Sequence, residues 1–407
     1  MNRSNTFRVS VLGAALALSA AVSAPVSAAG PESLRNVLDE YQKVQLDLTP
    51  DQYRSWIERL DRAIAAEPGA PPGAVYAARG IQASLCSVLS AWEDALRYAD
   101  EAARVAPWPE GRFSALCDAA LAAEQAWGLG TPESYRSEAG ERLLQRYTAL
   151  QELVEGTGGL LARSQNVEGW GPKYLMAIGE RARILDSRGA REEAKKLTEK
   201  ALKLLSERRI PLDTAFDRII RQGFLLTAAV YAAQDRDRAL AERYLIQLSE
   251  LPGRSGGTML WHLEQVAEAE REWGGEEAYQ ARLSWWLRRV GPSDPSWAPV
   301  LYNLALNQSL RIETRPAAAE SFERLLAAYE KNPPPAGVGW PNMQTRCWLN
   351  LADLYSEDSA GLRNMPRARE LAQRYLDATK DDKSAAVQRN RAKMEELLRP
   401  AEPGAPR

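Results

Sequence analysis

The chain is 407 residues long, and its 52 lysines and arginines are nearly balanced by 54 aspartates and glutamates, which gives a net charge of −2. This even mixture argues against a nucleic-acid partner, because nucleic-acid-binding proteins usually carry a basic patch or stripe. Beyond residue 28 no segment is apolar enough to be predicted to cross a membrane.

The first 28 residues have the three zones of a secretory signal peptide. Arg3 and Arg8 precede an uncharged run from Val9 to Ala24, and small residues lead up to Ala28. The run is too short and too rich in alanine and serine to favour a membrane-spanning helix. We predict cleavage after Ala28 and export of a soluble protein to the periplasm or the extracellular space. Because residues 1–28 hold two arginines and no acidic residue, the exported chain would carry about −4.

Helix signals then follow in pairs, and no stretch alternates apolar and polar residues long enough to predict a strand. Thr49, Pro50 and Gln52 form the pattern of a capping box at a helix start. In the segment 91–107, Ala95 and Ala102 share one helical face and Pro107 ends the helix. Small residues at such positions allow two helices to touch, so residues 29–155 are predicted to form an N-terminal array of helical hairpins.

The segment 156–172 is the longest interruption of the helical pattern. It is rich in glycine, but no strand precedes it and no Lys-Ser or Lys-Thr follows it, so a phosphate-binding loop is not supported. We predict a linker between two arrays.

Residues 173–399 predict a second array. Its second helices are expected to begin near Glu192, Asp237, Glu276, Ala317 and Arg367. A small residue recurs near each start, at intervals of roughly 39 to 50 residues, which is a helical-hairpin period: Ala194, Ala239, Ala278, Ala318 and Ala368. The segment 384–398 has one apolar side and many charges, as expected of a terminal capping helix. Residues 400–407 are predicted to be a disordered tail.

Several of these segments resemble tetratricopeptide repeats (TPRs). The first-helix pattern is matched by Trp348, Asn350, Leu351, Ala352 and Tyr355, and again by Asn303, Leu304 and Ala305. The second-helix pattern is matched by Ala95, Ala102 and Pro107, and a weaker match comprises Thr227, Ala228, Tyr231 and Ala239. The resemblance implies an all-α fold, a right-handed α-solenoid of antiparallel helix hairpins. It also implies a non-enzymatic scaffold that binds a protein or peptide, here in the cell envelope.

In the resembled family the first helices line the concave surface. The polar residues expected on that surface are Asn303, Asn307, Arg346, Asn350 and Asp353. They are three or four residues apart within each helix, so they share a face and could bind an extended peptide or a terminal carboxylate. The alternative is that the asparagines only tie adjacent hairpins together. The proline-rich segment 332–341, which includes Trp340, is predicted to project as a lip of this surface.

Twelve tryptophans are more than the packing of such an array requires, and several cluster between Trp261 and Trp297. Trp285 and Trp286 point about 100° apart on a helix, so one is expected to be more exposed than the other. Exposed rings would favour an alternative function, binding or processing of glycans with nearby carboxylates. Packing between hairpins is the competing interpretation.

The remaining residue types predict no catalytic centre, metal site or cofactor. His262 is the only histidine, which excludes sites built from several histidines, and its apolar neighbours favour a structural role. Cys86 and Cys117 are about one helix pair apart, so either a single disulfide or two unpaired thiols fits the sequence. Cys347 is predicted to be a packed thiol.

Overall fold

The computed structural model of this protein describes residues 33–44, 48–163, 167–207, 210, 214–253, 255–331, 343–357 and 361–399. Within these ranges the regular structure is helical and contains no strand, which confirms the predicted fold class. The contacts divide the chain into two compact units, one ending at Phe224 and the other beginning at Leu225. A search of the described helices for a membrane span, by length and apolar character, finds none.

The helices that begin in the N-terminal unit are α1 (Leu34–Val44), α2 (Pro50–Ala66), α3 (Pro72–Val88), α4 (Trp92–Val105), α5 (Pro109–Ala126), α6 (Pro132–Tyr135), α7 (Glu138–Glu155), α8 (Leu160–Arg163), α9 (Val167–Ser187), α10 (Arg191–Ser206) and α11 (Thr214–Gln234). The boundary between the units lies inside α11. Apart from the short α6 and α8, these helices alternate as the first and second members of hairpins.

The helices of the C-terminal unit are α12 (Arg238–Glu250), α13 (Gly256–Arg289), α14 (Trp297–Ser309), α15 (Arg315–Lys331), α16 (Met343–Ser356), α17 (Met365–Ala378) and α18 (Ala385–Leu398). A short 3₁₀ turn, Ile312–Thr314, joins α14 to α15. The predicted starts of the second helices agree with α10, α12, the second part of α13, α15 and α17.

Within each unit most helices pack against their neighbours along the chain. In the N-terminal unit α4 lies between α3 and α5, and α9 contacts α5, α7 and α10. In the C-terminal unit α14 packs on α13 and α15, and α17 packs on α16 and α18. Consecutive helices joined by short connections run antiparallel. Packing of each hairpin on the next is the arrangement that the sequence repeats predict.

Alanines allow the close approach of α3, α4 and α5. Ala95, Ala99 and Ala102 on α4 are each about 1% exposed. Ala95 and Ala99 cluster with Ala83 of α3 and Ala119 of α5, and Ala102 clusters with Ala115 of α5. A methyl side chain lets helix axes come close while still excluding water. The alanine spacing that predicted helix pairing therefore marks real helix–helix contacts.

The start of α2 confirms the predicted capping box. The Thr49 hydroxyl accepts a hydrogen bond from the Gln52 amide at 3.4 Å, and the Gln52 side-chain oxygen accepts one from the Thr49 amide at 2.7 Å. Pro50 occupies the first turn, where a missing N–H costs nothing.

Helix α13 consists of two helical arms that form a hairpin, and a single residue joins them. Gly275 has φ 62° and ψ −161°, which breaks the helical backbone between 256–274 and 276–289. Only glycine adopts this backbone conformation readily, because a Cβ atom would be strained there. The second helix predicted near Glu276 therefore begins where expected, after a much shorter turn than in the other hairpins.

The predicted linker 156–172 is partly helical. Gly156 ends α7 and Gly158 has φ 70°, but α8 begins at Leu160 and α9 at Val167, so Pro172 lies inside a helix. The linker prediction was wrong for those two stretches because buried Leu160 and Trp170 supply an apolar face that local glycine content does not reveal. The two-unit division falls at Phe224 and not at this segment. Residues 1–28 and 400–407 lie outside the described residues.

Candidate partner-binding surface

Three first helices of the C-terminal unit, α14, α16 and α18, are joined by polar contacts. The Asn350 amide on α16 donates to the Tyr302 hydroxyl on α14 at 3.4 Å, and Lys393 on α18 forms an ion pair with Asp353 on α16 at 2.7 Å. Helices α14 and α18 both pack against α16. We call the side chains of Arg346, Asn350 and Asp353 the α16 surface.

The two asparagines of α14 are used within the fold. Asn303 accepts a hydrogen bond from the Tyr279 hydroxyl at 3.1 Å and donates to Glu264, both on α13. Asn307 donates to Glu276 and accepts from Gln280, each at 2.8 Å. Both amides therefore tie α14 to the preceding hairpin, which is the alternative that the sequence left open. They have little hydrogen-bonding capacity left for a partner.

Arg346 and Asn350 lie one turn apart on α16, and both keep unused hydrogen-bonding capacity. Arg346 is exposed, has no ion-pair partner among the described residues, and lies beside the Tyr302 hydroxyl. Burial raises the pKa of Tyr302, and Arg346 and Asn350 partly oppose that rise. The Asn350 amide nitrogen donates to the Arg346 carbonyl at 2.8 Å, which leaves its side-chain oxygen as a free acceptor within the described chain.

Asp353 lies about one turn beyond Asn350 on the same face of α16. Its Oδ2 atom meets Lys393, whereas its Oδ1 atom is buried and has no hydrogen-bond partner among the described residues. Burial raises the pKa of this carboxyl, although Lys393 opposes the rise. An unpaired buried carboxylate oxygen costs free energy until a donor reaches it.

The tryptophans of α13 are largely packed. Trp286 is 1% exposed and donates its indole N–H to the Ser296 hydroxyl at 2.8 Å. Trp285 is half-buried, with the Arg282 guanidinium 5.0 Å from its ring centre. The two rings thus differ in exposure, as their helical positions require. Trp340 lies outside the described residues.

The cysteines are free thiols. Cys86 is buried on α3 and packs in a cluster with Ala119 and Ala122 of α5, whereas Cys117 of α5 is half-buried. Cys117 precedes Ala119 by two residues, which is about 200° around the helix, so its thiol points away from Cys86. The disulfide alternative was therefore wrong. Burial raises the pKa of the Cys86 thiol to about 11. Cys347 is a fully buried, packed thiol, as predicted.

The arrangement closest to a catalytic one lies in the N-terminal unit. The Lys173 ammonium on α9 donates to the Ser114 hydroxyl at 2.7 Å and to Asp118 at 2.9 Å. Burial lowers the pKa of Lys173, but Asp118 outweighs that effect and the pKa is raised overall. A lysine held protonated cannot take the proton of a serine, so this contact ties α5 to α9 and does not activate a nucleophile.

Among the described residues, no group of three or more histidine, cysteine, aspartate or glutamate side chains could hold a metal ion. His262 is 2% exposed, and burial lowers its pKa to about 4. His262 is therefore neutral near pH 7 at its buried position on α13.

Two residues that contact the α16 surface were missed from the sequence. Tyr302 directly precedes Asn303 in the repeat-like segment of α14, and Lys393 lies on the charged side of the capping helix. The sequence pattern singled out neither residue as part of the expected surface. Their roles depend on contacts between hairpins, which helical periodicity does not encode.

No family model and no curated relative matches the chain. Among solved structures, the TPR domain of P58(IPK) is similar at 12% identity with a TM-score of 0.24, covering 90% of this chain and 98% of that domain. A chain of the Naa15/Naa10 complex bound to HypK-THB is similar at 13% identity with a TM-score of 0.28, covering 89% of this chain and 60% of that one. Because both TM-scores are below 0.5, what this protein does is inferred from its own side chains.

Proposed function

We propose that this protein is an exported, non-enzymatic scaffold that binds a protein or peptide partner of the cell envelope on the α16 surface. One observation carries the proposal: Arg346 is exposed and lacks an ion-pair partner in the described chain, while its neighbours on the same helix face are held in place. An arginine beside ordered polar groups is a common anchor for a polypeptide.

The polar groups of the α16 surface suit an extended peptide backbone. Arg346 offers several N–H donors, and Asn350 keeps a free acceptor oxygen within the described chain. At a rise of 1.5 Å per residue, the α16 surface from Arg346 to Asp353 spans about 10 Å along the helix. An extended peptide covers that length with roughly three residues, whose main-chain amides and carbonyls alternate. The ion pair with Lys393 fixes Asp353, so little side-chain freedom is lost on binding.

Export rests on the charged, apolar and small zones of residues 1–28, which lie outside the described residues. The proposal requires that the protein recovered from the cell envelope begins at Ala29. Amino-terminal sequencing of that protein would contradict export if it found Met1 or Asn2.

The binding proposal is tested by pull-down from envelope extract with residues 29–407, followed by mass spectrometry. A polypeptide should be recovered, and it should disappear when the extract is treated with protease first. Arg346→Ala with Asn350→Ala should lower its recovery at least about tenfold, since each lost charge-assisted hydrogen bond weakens binding.

The matched control is Arg324→Ala, because Arg324 is exposed on α15 and makes no ion pair in the described structure. Its recovery of the polypeptide should equal that of the unchanged protein. A partner that survives protease treatment, such as a glycan, or equal recovery by the α16 variant would contradict the proposal.

A further inference from the structure

A cavity of about 580 Å³ opens between the second half of α4 and the first half of α5 in the N-terminal unit. A cavity of this size can hold a few side chains of a ligand. Its walls are formed by Asp100, Ala103, Arg104, Ala106, Arg112 and Leu116. We call it the α4–α5 cavity.

The carboxylate in this cavity is already neutralised. Asp100 accepts two hydrogen bonds from the Arg146 guanidinium of α7, at 2.9 and 3.0 Å. This paired geometry is the strongest one available to an arginine and a carboxylate. Arg146 also lies 5.7 Å from the Trp127 ring centre, which further fixes it. Asp100 is therefore not available to compensate another charge.

Two further guanidinium groups line the same cavity without a carboxylate partner in the described chain. Arg104 is exposed and donates only to the main-chain oxygen of Asp100, at 3.3 Å, and Arg112 is exposed. Neighbouring arginines differ: Arg97 is paired with Asp94, and Arg79 with Glu101. The α4–α5 cavity thus carries an excess of two positive charges, which a bound anion would balance.

The rest of the lining restricts the ligand. Ala103, Ala106 and Leu116 give the cavity an apolar wall beside the two guanidinium groups. A small inorganic anion would leave that wall exposed to water, whereas an acidic peptide can place aliphatic groups on it. Carboxylates also match the forked donor geometry of arginine.

We propose that the α4–α5 cavity binds an acidic segment of a polypeptide, with Arg104 and Arg112 holding its carboxylates and Leu116 contacting its aliphatic side chains. This site uses none of the residues of the α16 surface, so it is independent of the proposed function.

Fluorescence anisotropy with a labelled hexapeptide of alternating glutamate and leucine tests this site on residues 29–407. The peptide should bind, and its glutamine–leucine counterpart should bind at least about tenfold more weakly because it lacks the charge. Arg104→Ala with Arg112→Ala should weaken binding of the acidic peptide by a similar factor. The variant Arg62→Ala with Arg324→Ala removes the same charge from exposed arginines outside the cavity and should bind as the unchanged protein does.

Charge reversal distinguishes binding in the α4–α5 cavity from general electrostatic attraction to the protein. Arg104→Glu with Arg112→Glu should reject the acidic peptide and bind a lysine–leucine hexapeptide, and circular dichroism should show an unchanged helical fold. Arg346→Ala should leave acidic-peptide binding intact, whatever the α16 surface does. The inference would be overturned by no binding of the acidic peptide, by equal loss in the control pair, or by binding that survives loss of both cavity arginines.

Discussion

At the scale of single residues, the C-terminal unit contains a buried ion pair. Arg282 is 2% exposed and Glu270 is 1% exposed, and the two form hydrogen bonds of 2.5 and 3.0 Å across the Gly275 turn. Glu242 of α12 lies 3.3 Å from the same guanidinium. Because a buried charge without its partner is costly, this pair orders the hairpin more than it stabilises it.

Removing one member of this pair should be far more harmful than removing both. Arg282→Met leaves the buried Glu270 carboxylate with only Arg238, 3.9 Å away, as a counter-charge and should lower the free energy of unfolding by about 3 kcal/mol. Arg282→Met with Glu270→Leu should recover more than half of that loss. Urea unfolding of these two variants and of Glu270→Leu alone gives a double-mutant cycle. A double variant as unstable as Arg282→Met would contradict the prediction.

His262 should make the protein sensitive to mild acid. Its pKa is about 4 in the folded chain, below the ordinary value of 6.5, so the unfolded chain binds more protons between these values. Stability should therefore fall as the pH drops from 6.5 to 4, by about 3 kcal/mol for this residue. His262→Gln cannot gain this charge and should show a smaller loss. Thermal unfolding at pH 7, 5.5 and 4 measures the difference, and parallel curves for the two proteins would refute the assignment.

At the scale of helices, the turn within α13 depends on one backbone conformation. A Cβ atom at Gly275 would meet no neighbour within 4 Å, so only its positive φ opposes substitution. Gly275→Ala should destabilise the protein by about 1–2 kcal/mol. Gly257 of the same helix also has open space where a methyl group would lie, but it lacks a positive φ. Gly257→Ala should instead stabilise by about 0.5–1 kcal/mol, and chemical denaturation of both variants tests this opposite sign.

At the scale of the whole chain, packing between near neighbours should keep damage local. Leu371 of α17 is fully buried among residues of α14 to α18, and Leu371→Ala should cost about 2–5 kcal/mol. Hydrogen exchange should then accelerate in α15 to α18 and remain unchanged in α3 and α4. Leu60→Ala, at a fully buried site of α2, should give the reverse pattern. Uniform acceleration in either variant would contradict this independence.

The sequence predicted the repeating architecture well because helix pairing depends on local spacing. Thr49 and Gln52 form a cap three residues apart, and the alanines of α4 mark its contact face. The binding surface was predicted less well. Asn303 and Asn350 have the same place in their repeats, yet Asn303 uses both its oxygen and its nitrogen on the preceding hairpin, whereas the Asn350 oxygen has no partner among the described residues. That difference depends on Glu264 and Tyr279, which lie on another helix and have no spacing relation to Asn303.

The one-residue turn at Gly275 also has a consequence under mechanical load. Its two arms, 256–274 and 276–289, are joined by no slack chain, and the Arg282–Glu270 pair holds them together near the turn. A force that pulls the outer ends of the two arms apart would separate the helices from those ends toward the turn and would reach that pair last. Full extension of the hairpin's 34 residues at roughly 3.5 Å each would span about 120 Å. This hairpin would therefore lengthen gradually under tension, and the ion pair would resist only the last part of the opening.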